Sequence, residues 1–455
     1  MNDSVSNGPR VERITVEGLF GLYDHIIHLN KVAHITVVHG PNGVGKTVLF
    51  KLTHALLTGR VLELLKYPFQ RFEVALTDGT RLEVMQDKKD AKAKTLREFK
   101  GNERVGKAMP LRFKEVAHSA QQLAVFASVH EVGTGKWFDP EYEDTLNEWG
   151  VIDRYGQVFP EVGHTGLLRF PHGDKPPFSY LIAAQRLIHL AKSPLGDGFS
   201  GRVMRNNRPE RNAAALDTVL IYSRELRGRV DSKLAEYGRR SQELDQSFPQ
   251  RLLQGRVESL AEGEIRMRMG SINARQERLQ QFGLMADAPQ THAAEGVLDE
   301  SQRPVMTVYL SDMAQKLDVL EDLARKVEVL LTQVNAQFVN KKLVLDDRHE
   351  LAVHTSQGER LPVSVLSSGE QHQIVLMYDL LFHVKPNTLV MIDEPELSLH
   401  MDWQERFIGN LQQIIAVTDF DVLLATHSPY IVNGHNDLLV ALSAEPVATS
   451  MKQMN

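Results

Sequence analysis

Gly40-Pro-Asn-Gly-Val-Gly-Lys-Thr47 matches the pattern G-x-x-x-x-G-K-[ST], a loop whose backbone N–H groups turn inward onto phosphate oxygens at a helix N-terminus. Ile35 to Val38 form an apolar run just before it and read as a buried parallel strand. Val48, Leu49, Leu52 and Leu56 follow at helical spacing, and the pattern predicts a helix running to about Leu65. In this strand–loop–helix context Gly40, Asn42, Gly43, Gly45, Lys46, Thr47 and Val48 are the candidate phosphate contacts. Lys46 would reach the β- and γ-phosphates, and the Thr47 hydroxyl would sit on Mg²⁺.

The second half of such a site lies far downstream. Leu389-Val-Met-Ile-Asp-Glu-Pro395 is an apolar run ending in two carboxylates. A buried strand there places Asp393 and Glu394 at its C-terminal end, where open α/β sheets bind ligands. Asp393 is the candidate Mg²⁺ ligand and Glu394 the candidate general base for an attacking water. Val422-Leu-Leu-Ala-Thr-His427 reads as another buried strand beside it, with His427 as a γ-phosphate sensor. Leu366-Ser-Ser-Gly-Glu-Gln371 precedes a helix; its Ser367, Ser368, Gly369 and Glu370 form a second candidate phosphate-binding end. The segment Tyr180–Ile188 reads as one more buried strand, ending at Gln185.

Between these halves the pattern is helical. Met306, Leu310, Met313, Leu317, Leu320, Ala324, Val327, Leu331, Val334 and Phe338 step by alternating fours and threes, the seam of a coiled coil extending roughly 50 Å. The helix around Val219, Leu226, Val230 and Leu234 is its expected antiparallel partner. Pro249 and residues 286–296 carry the turn signals expected at the far end. Phe72, Val74 and Leu76 alternate into Thr77-Asp-Gly-Thr80, and Leu82 and Val84 resume the alternation, as in a hairpin. Residues 87–114 are rich in Lys and Arg; a solvated loop is the plain reading and a phosphate-backbone contact the alternative. Residues 130–180 read as irregular β structure, and Lys342–Leu345 with Leu351–Val353 as a β pair.

Composition narrows the class. The 455 residues are 42% hydrophobic and 24% charged, ordinary for a globular chain that buries a large core. The absence of cysteine removes disulfides, thiolate chemistry and Cys-based zinc sites. No apolar stretch reaches the ~20 residues of a membrane span, and the polar start carries no signal-peptide pattern, so the expected location is cytoplasmic. The net charge of −6 leaves any nucleic-acid surface a local matter.

These motifs together resemble the ABC-type ATPases, in the branch containing the RecF, Rad50 and OLD families. Leu366–Gln371 resembles their signature motif, with Ser368 at a frequent glycine position. Ile392-Asp-Glu-Pro-Glu-Leu-Ser-Leu-His400 resembles their Walker B and D-loop, and Trp403-Gln404 continues an OLD-like pattern. Ala425-Thr-His-Ser-Pro429 resembles the switch-histidine segment. Gln185 resembles the Q-loop glutamine, a catalytic and Mg²⁺-contacting position in that family.

The resemblance implies an α/β fold: a P-loop NTPase, ABC-type head of mixed sheet and helices, with an inserted antiparallel coiled coil. The expected division is 1–213 and 343–455 for the head and 214–342 for the insertion. It implies ATP and Mg²⁺ as cofactors. It also implies a homo-oligomer in which two heads sandwich ATP, the P-loop of one facing Ser367, Ser368 and Gly369 of the other. The residues after His427 are too few for the nuclease domain that follows the head in OLD proteins, so a separate effector is expected.

Two functions remain open. One is the sensor and scaffold ATPase of an anti-phage defence system, resembling PARIS-type and less closely Septu-type subunits, with a nuclease or toxin as partner and a phage protein as trigger. The other is a RecF-like or Rad50-like repair ATPase on duplex DNA. A third reading makes bound ATP purely structural.

Overall fold

The computed structural model describes residues 8–87, 90, 93–140, 142–155, 179–182, 211–253, 259–285, 299–361, 363–397 and 399–442. They form two compact units. The first comprises the described residues up to Ile182 together with everything from Val384 onward, and the second runs from α4 (Arg211–Leu253) to His383.

In the first unit, a parallel sheet and an antiparallel sheet share one core. The parallel sheet has the order β11 (Ser179–Ile182), β15 (Leu389–Asp393), β16 (Asp421–Ala425), β3 (Ile35–His39), β17 (Leu439–Ala441). Val422 aligns with Ile35 and Val390, so β16 separates the P-loop strand from the acidic strand. Every residue of β15 and β16 is buried, as expected for strands covered on both faces. The antiparallel sheet runs β2 (Tyr23–His28), β1 (Val11–Leu19), β4 (Arg71–Leu76), β5 (Thr80–Gln86), β6 (Lys94–Lys100), β7 (Glu103–Leu111). Ile14, Val16, Phe72 and Val74 from this sheet meet Leu49, Phe50 and Leu56 of α1 (Lys46–Leu57) and Val38, Met391 and Leu423 of the parallel sheet. A smaller core packs α2 (Phe113–Phe126) and α3 (Glu148–Tyr155) on a three-stranded sheet through Leu123, Trp137 and Val151. Its strands are β8 (His130–Gly133), β9 (Lys136–Asp139) and β10 (Asp144–Asn147).

Several expectations meet this unit differently. α1 stops at Leu57 instead of reaching Leu65, because Gly59 turns the chain at φ +76 before a separate 3₁₀ turn, Val61–Lys66. The β4–β5 hairpin forms with its turn at Asp78-Gly79, as its alternation requires. The basic stretch is not a loop from Lys94 onward: β6 and β7 continue the antiparallel sheet and α2 follows. Lys94 is buried there, its ammonium donating to the carbonyls of Leu64 and Tyr67 and lying over the Phe69 ring. Burial lowers its pKa to about 7.

In the second unit, α4 and α6 (Arg303–Asn335) run antiparallel, with Arg251 bidentate on Asp312 and Lys316 bound to Asp245. α4 continues through Pro249, which does not end it. The polar helix α5 (Glu262–Gln281) lies parallel to α6, through Leu260 N to Thr307 Oγ1, Arg275 to Asp318 and Arg278 to Glu321. Burial on α6 therefore spreads beyond the 4-3 seam to Val308, Leu323 and Leu330. Two neighbours need a wider apolar stripe than one.

Residues 343–383, expected with the head, pack with these helices. β12 (Lys341–Leu345), β13 (Leu351–Thr355) and β14 (Arg360–Leu361) form a small sheet. Asn335 brackets Leu343 with two hydrogen bonds, Ser223 Oγ accepts from Leu351 N, and Tyr222 donates to Asp379. α7 (Ser368–Tyr378) and a π-helical turn, Asp379–His383, complete the unit.

Candidate functional site

β3, β15 and β16 are parallel, so their C-terminal ends deliver Gly40, Asp393–Glu394 and Thr426–His427 to one edge. The P-loop closes over it. Gly45 caps α1 at φ +95 without a side-chain cap, and Gly43 is also left-handed at φ +87. A Cβ on Gly45 would lie 2.4 Å from Leu19 Cδ2, so both conformation and space demand glycine. His25 of β2, 3% exposed, binds the Val44 carbonyl at 2.8 Å through Nε2 and fixes the loop from behind. No sequence pattern marks that histidine.

Lys46 is 6% exposed. Its ammonium donates to the carbonyls of Gly40 (2.7 Å) and Pro41 (3.1 Å) and lies 2.7 Å from His427 Nε2. Lysine carries only donors, so that imidazole nitrogen accepts. Burial lowers the Lys46 pKa, opposed by the nearby carboxylates of Glu394, Asp393 and Glu396. Asp393 is shifted the other way: burial raises its pKa, the Thr47 hydroxyl bound to it lowers it, and the Glu394 charge raises it again. Its Oδ1 is buried and has no hydrogen-bond partner among the described residues. A buried, unsatisfied carboxylate oxygen beside the Thr47 hydroxyl fits the donor set of a hard divalent cation.

Glu394 is half-buried and left-handed at φ +49, a conformation that costs a non-glycine residue about 1–3 kcal/mol. Its N–H donates to Ala425 O at 2.9 Å, fastening it to the end of β16. Two residues on, Glu396 reaches back to the same segment. Its Oε2 accepts from Thr426 Oγ1 at 2.8 Å and its Oε1 from the His427 N–H at 2.7 Å. Gln404 of α8 (Met401–Thr418) donates to Leu399 O and accepts from Ser428 Oγ at 2.6 Å. Glu396 was legible only as part of the D-loop pattern; its contact with His427 was not.

The structure thus brings Gly40, Gly43, Gly45, Lys46, Thr47, Asp393, Glu394 and His427 to one edge of the first unit, with Asn42 exposed on the loop and Val48 in the first turn of α1. Gln185 lies outside the described residues. Ser367, Ser368, Gly369 and Glu370 stand at the start of α7 in the second unit. There Ser367 Oγ accepts from Glu370 N, while the Glu370 carboxylate accepts from Ser367 N at 2.7 Å and pairs with Lys341 at 2.9 Å. Burial disfavours the Glu370 charge, but Lys341 and Ser367 outweigh it and lower its pKa. Its carboxylate is engaged in a cap and an ion pair rather than offered to a ligand; Ser368 and Gly369 are exposed.

Residues 181–433, more than half of the chain, match the family described as "AAA domain, putative AbiEii toxin, Type IV TA system". The chain belongs to this family. The matched span contains Asp393, Glu394, His427 and the Ser367–Glu370 turn, while the P-loop precedes it. The family description names an AAA domain. The "Retron Ec83 probable ATPase" of Escherichia coli is 22% identical over 305 residues. That alignment covers 64% of this chain and 51% of the relative, so the chain spans about half the length of the curated relative it matches.

Two solved structures are similar at low superposition. The SMC head domain from Thermotoga maritima is 11% identical over 95% of both chains, with a TM-score of 0.33. The recombination mediator RecF–ATP is 10% identical over 94% of this chain and 95% of that one, with a TM-score of 0.27. No helix among the described residues is long and apolar enough to cross a membrane.

Proposed function

We propose that this protein is an ATP-hydrolysing sensor and scaffold subunit of a defence system. It would hold a separate effector, a nuclease or toxin, and release it when a phage trigger shifts the ATP-bound state. The observation that carries the ATPase half is the meeting of Lys46 and His427 at 2.7 Å, beside Asp393 and Glu394, at one edge of a parallel sheet. The defence half is supported by the retron ATPase similarity and by the toxin named in the family description.

The roles follow from position. The P-loop amides and Lys46 would bind the phosphates, Lys46 exchanging the carbonyls of Gly40 and Pro41 for phosphate oxygens. Mg²⁺ held by Thr47 and Asp393 would supply neutralisation of phosphate charge. Glu394 would orient and deprotonate the attacking water, and His427 would contact the γ-phosphate. Two heads would sandwich ATP with Ser367, Ser368 and Gly369 contributed by the facing copy. The α4–α6 pair would serve as the coiled-coil arm that presents the effector.

The test is capture of tagged Glu394→Gln protein from its host with ATP present, with and without nuclease treatment, read by mass spectrometry. A stoichiometric protein partner that survives nuclease supports the scaffold reading. DNA without such a partner supports the alternative of a RecF-like repair ATPase, which the exposed Arg104 and Lys107 of β7 favour.

A further inference from the structure

Outside the groups assigned to nucleotide chemistry, the Glu396 side chain, two residues after Glu394, bonds the segment that carries His427. We propose that Glu396 is a positioning residue that locks the sensor His427 to the general base Glu394, so that the two respond to the γ-phosphate as one body. The proposal rests on the ATPase reading above.

The strands β15 and β16 lie side by side and end at Asp393 and Ala425. Beyond those ends the ladder stops, and nothing in regular sheet pairing would fix Glu394 relative to His427. The last rung is Glu394 N to Ala425 O at 2.9 Å, and past it two side-chain hydrogen bonds take over: Thr426 Oγ1 to Glu396 Oε2 at 2.8 Å and His427 N to Glu396 Oε1 at 2.7 Å. Both carboxylate oxygens are used, and both bonds are charge-assisted, which makes them stronger than neutral ones. The left-handed turn at Glu394 is what lets the side chain two residues later swing back over the neighbouring strand.

The clip is backed on its far side. Thr426, 1% exposed, also accepts from Ser428 N at 3.0 Å, and Ser428 Oγ donates to Gln404. The Gln404 amide holds the Leu399 carbonyl at 3.0 Å, so α8 supports both the D-loop and the histidine segment. His427 is therefore held at two points: its backbone by Glu396 and its ring by Lys46. When phosphate draws Lys46 away, only the backbone anchor remains. The carboxylate of Glu396 then determines where the imidazole stands relative to Glu394.

The test compares Glu396→Ala, Glu396→Gln, Thr426→Val and Glu394→Gln in the full chain, measuring kcat, affinity for a fluorescent ATP analogue and thermal unfolding. Misplacing a catalytic group by about 1 Å costs on the order of 100-fold. Glu396→Ala is expected to lower kcat about 100-fold while analogue affinity stays within about threefold. Glu396→Gln keeps an acceptor for the His427 N–H and is expected to recover most of the loss. Thr426→Val removes the other bond without touching Glu396 and is expected to give a smaller fall in kcat.

Wild-type kcat in Glu396→Ala overturns the proposal. So does a loss of kcat, affinity and melting temperature together that Gln does not rescue, since that describes a purely structural residue. If Glu394→Gln abolishes turnover and Glu396→Ala does not, the positioning role alone is lost. If Glu394→Gln turns over normally, the general-base reading itself fails.

Discussion

The chain contains two helix starts built from small polar residues and glycine, and they are finished in opposite ways. At Gly45 the cap is a left-handed glycine with no side-chain cap, so the first amides of α1 have no partner from a capping side chain. At Ser367 the capping box is complete: the serine satisfies Glu370 N, and Glu370 satisfies Ser367 N and Lys341. A helix N-terminus attracts anions through its unsatisfied N–H groups. The first start is therefore open to phosphate by construction. The second has already drawn a carboxylate of its own chain to its first turn. Similar composition leaves the first turn without a capping side chain in one place and builds a stable cap in the other, and the difference lies in whether position three carries an acid.

The contrast can be broken most forcefully at Lys46. Lys46→Ala should lower ATP affinity by more than about 100-fold in calorimetry, since it removes the buried cation proposed to bind the phosphates. The corresponding Glu370→Ala should leave affinity of the isolated subunit unchanged.

Gly45→Ala should come next. Its Cβ would strike Leu19 at 2.4 Å and its φ of +95 is strained for alanine, so a destabilisation of about 1–3 kcal/mol is expected in denaturant titrations, along with impaired ATP binding. Alanine at Gly369 meets nothing within 4 Å among the described residues and should be tolerated.

A third expectation concerns the pH response of the second unit. His383 is half-buried, which works against its charge, but hydrogen bonds to Asp379 and Glu225 outweigh burial and raise its pKa to about 9. Glu225, also penalised by burial, is lowered to about 2 by His383 and Arg229. The His383 contribution is fully present below its ordinary value near 6.5 and is lost as pH rises through about 9. The Glu225 contribution is present above about 4.5 and is lost as pH falls toward 2. The thermal unfolding midpoint of the chain should therefore fall between pH 7 and 9, and His383→Gln should flatten that decline.

The smallest effect is at the cap itself. Ser367→Ala should cost about 1 kcal/mol, the usual loss for an N-cap serine, visible as a small fall in unfolding midpoint.

What the sequence disclosed follows the same physical divide. The P-loop, the acidic strand and the His427 strand were readable because fully buried parallel strands are continuous apolar runs that end where the chemistry begins. The β6–β7 hairpin was not, because its charges sit on strand faces and Lys94 points inward to backbone carbonyls, which inverts the usual meaning of a lysine. Within the helical stretch α5 does not stand out as a separate helix for a related reason: Ile265, Met269, Ile272 and Leu279 supply its apolar face, and ion pairs to α6 supply the rest. The boundary at 343 moved to 383 because Asn335, Ser223 and Tyr222 bind the returning chain, contacts across 8 to 157 residues that no local pattern encodes. The roles of His25 and Glu396 were hidden for the same reason: each acts through a hydrogen bond to a backbone group on another element.

The most direct measurement is steady-state ATP hydrolysis by wild type and Glu394→Gln, with ATP affinity determined for both. The expected result is measurable Mg²⁺-dependent turnover in wild type, a fall of about 100-fold or more in Glu394→Gln, and equal affinity. Equal turnover in the two proteins would contradict the assignment of Glu394 as the base and, with it, the central reading of this sheet edge as a hydrolytic site.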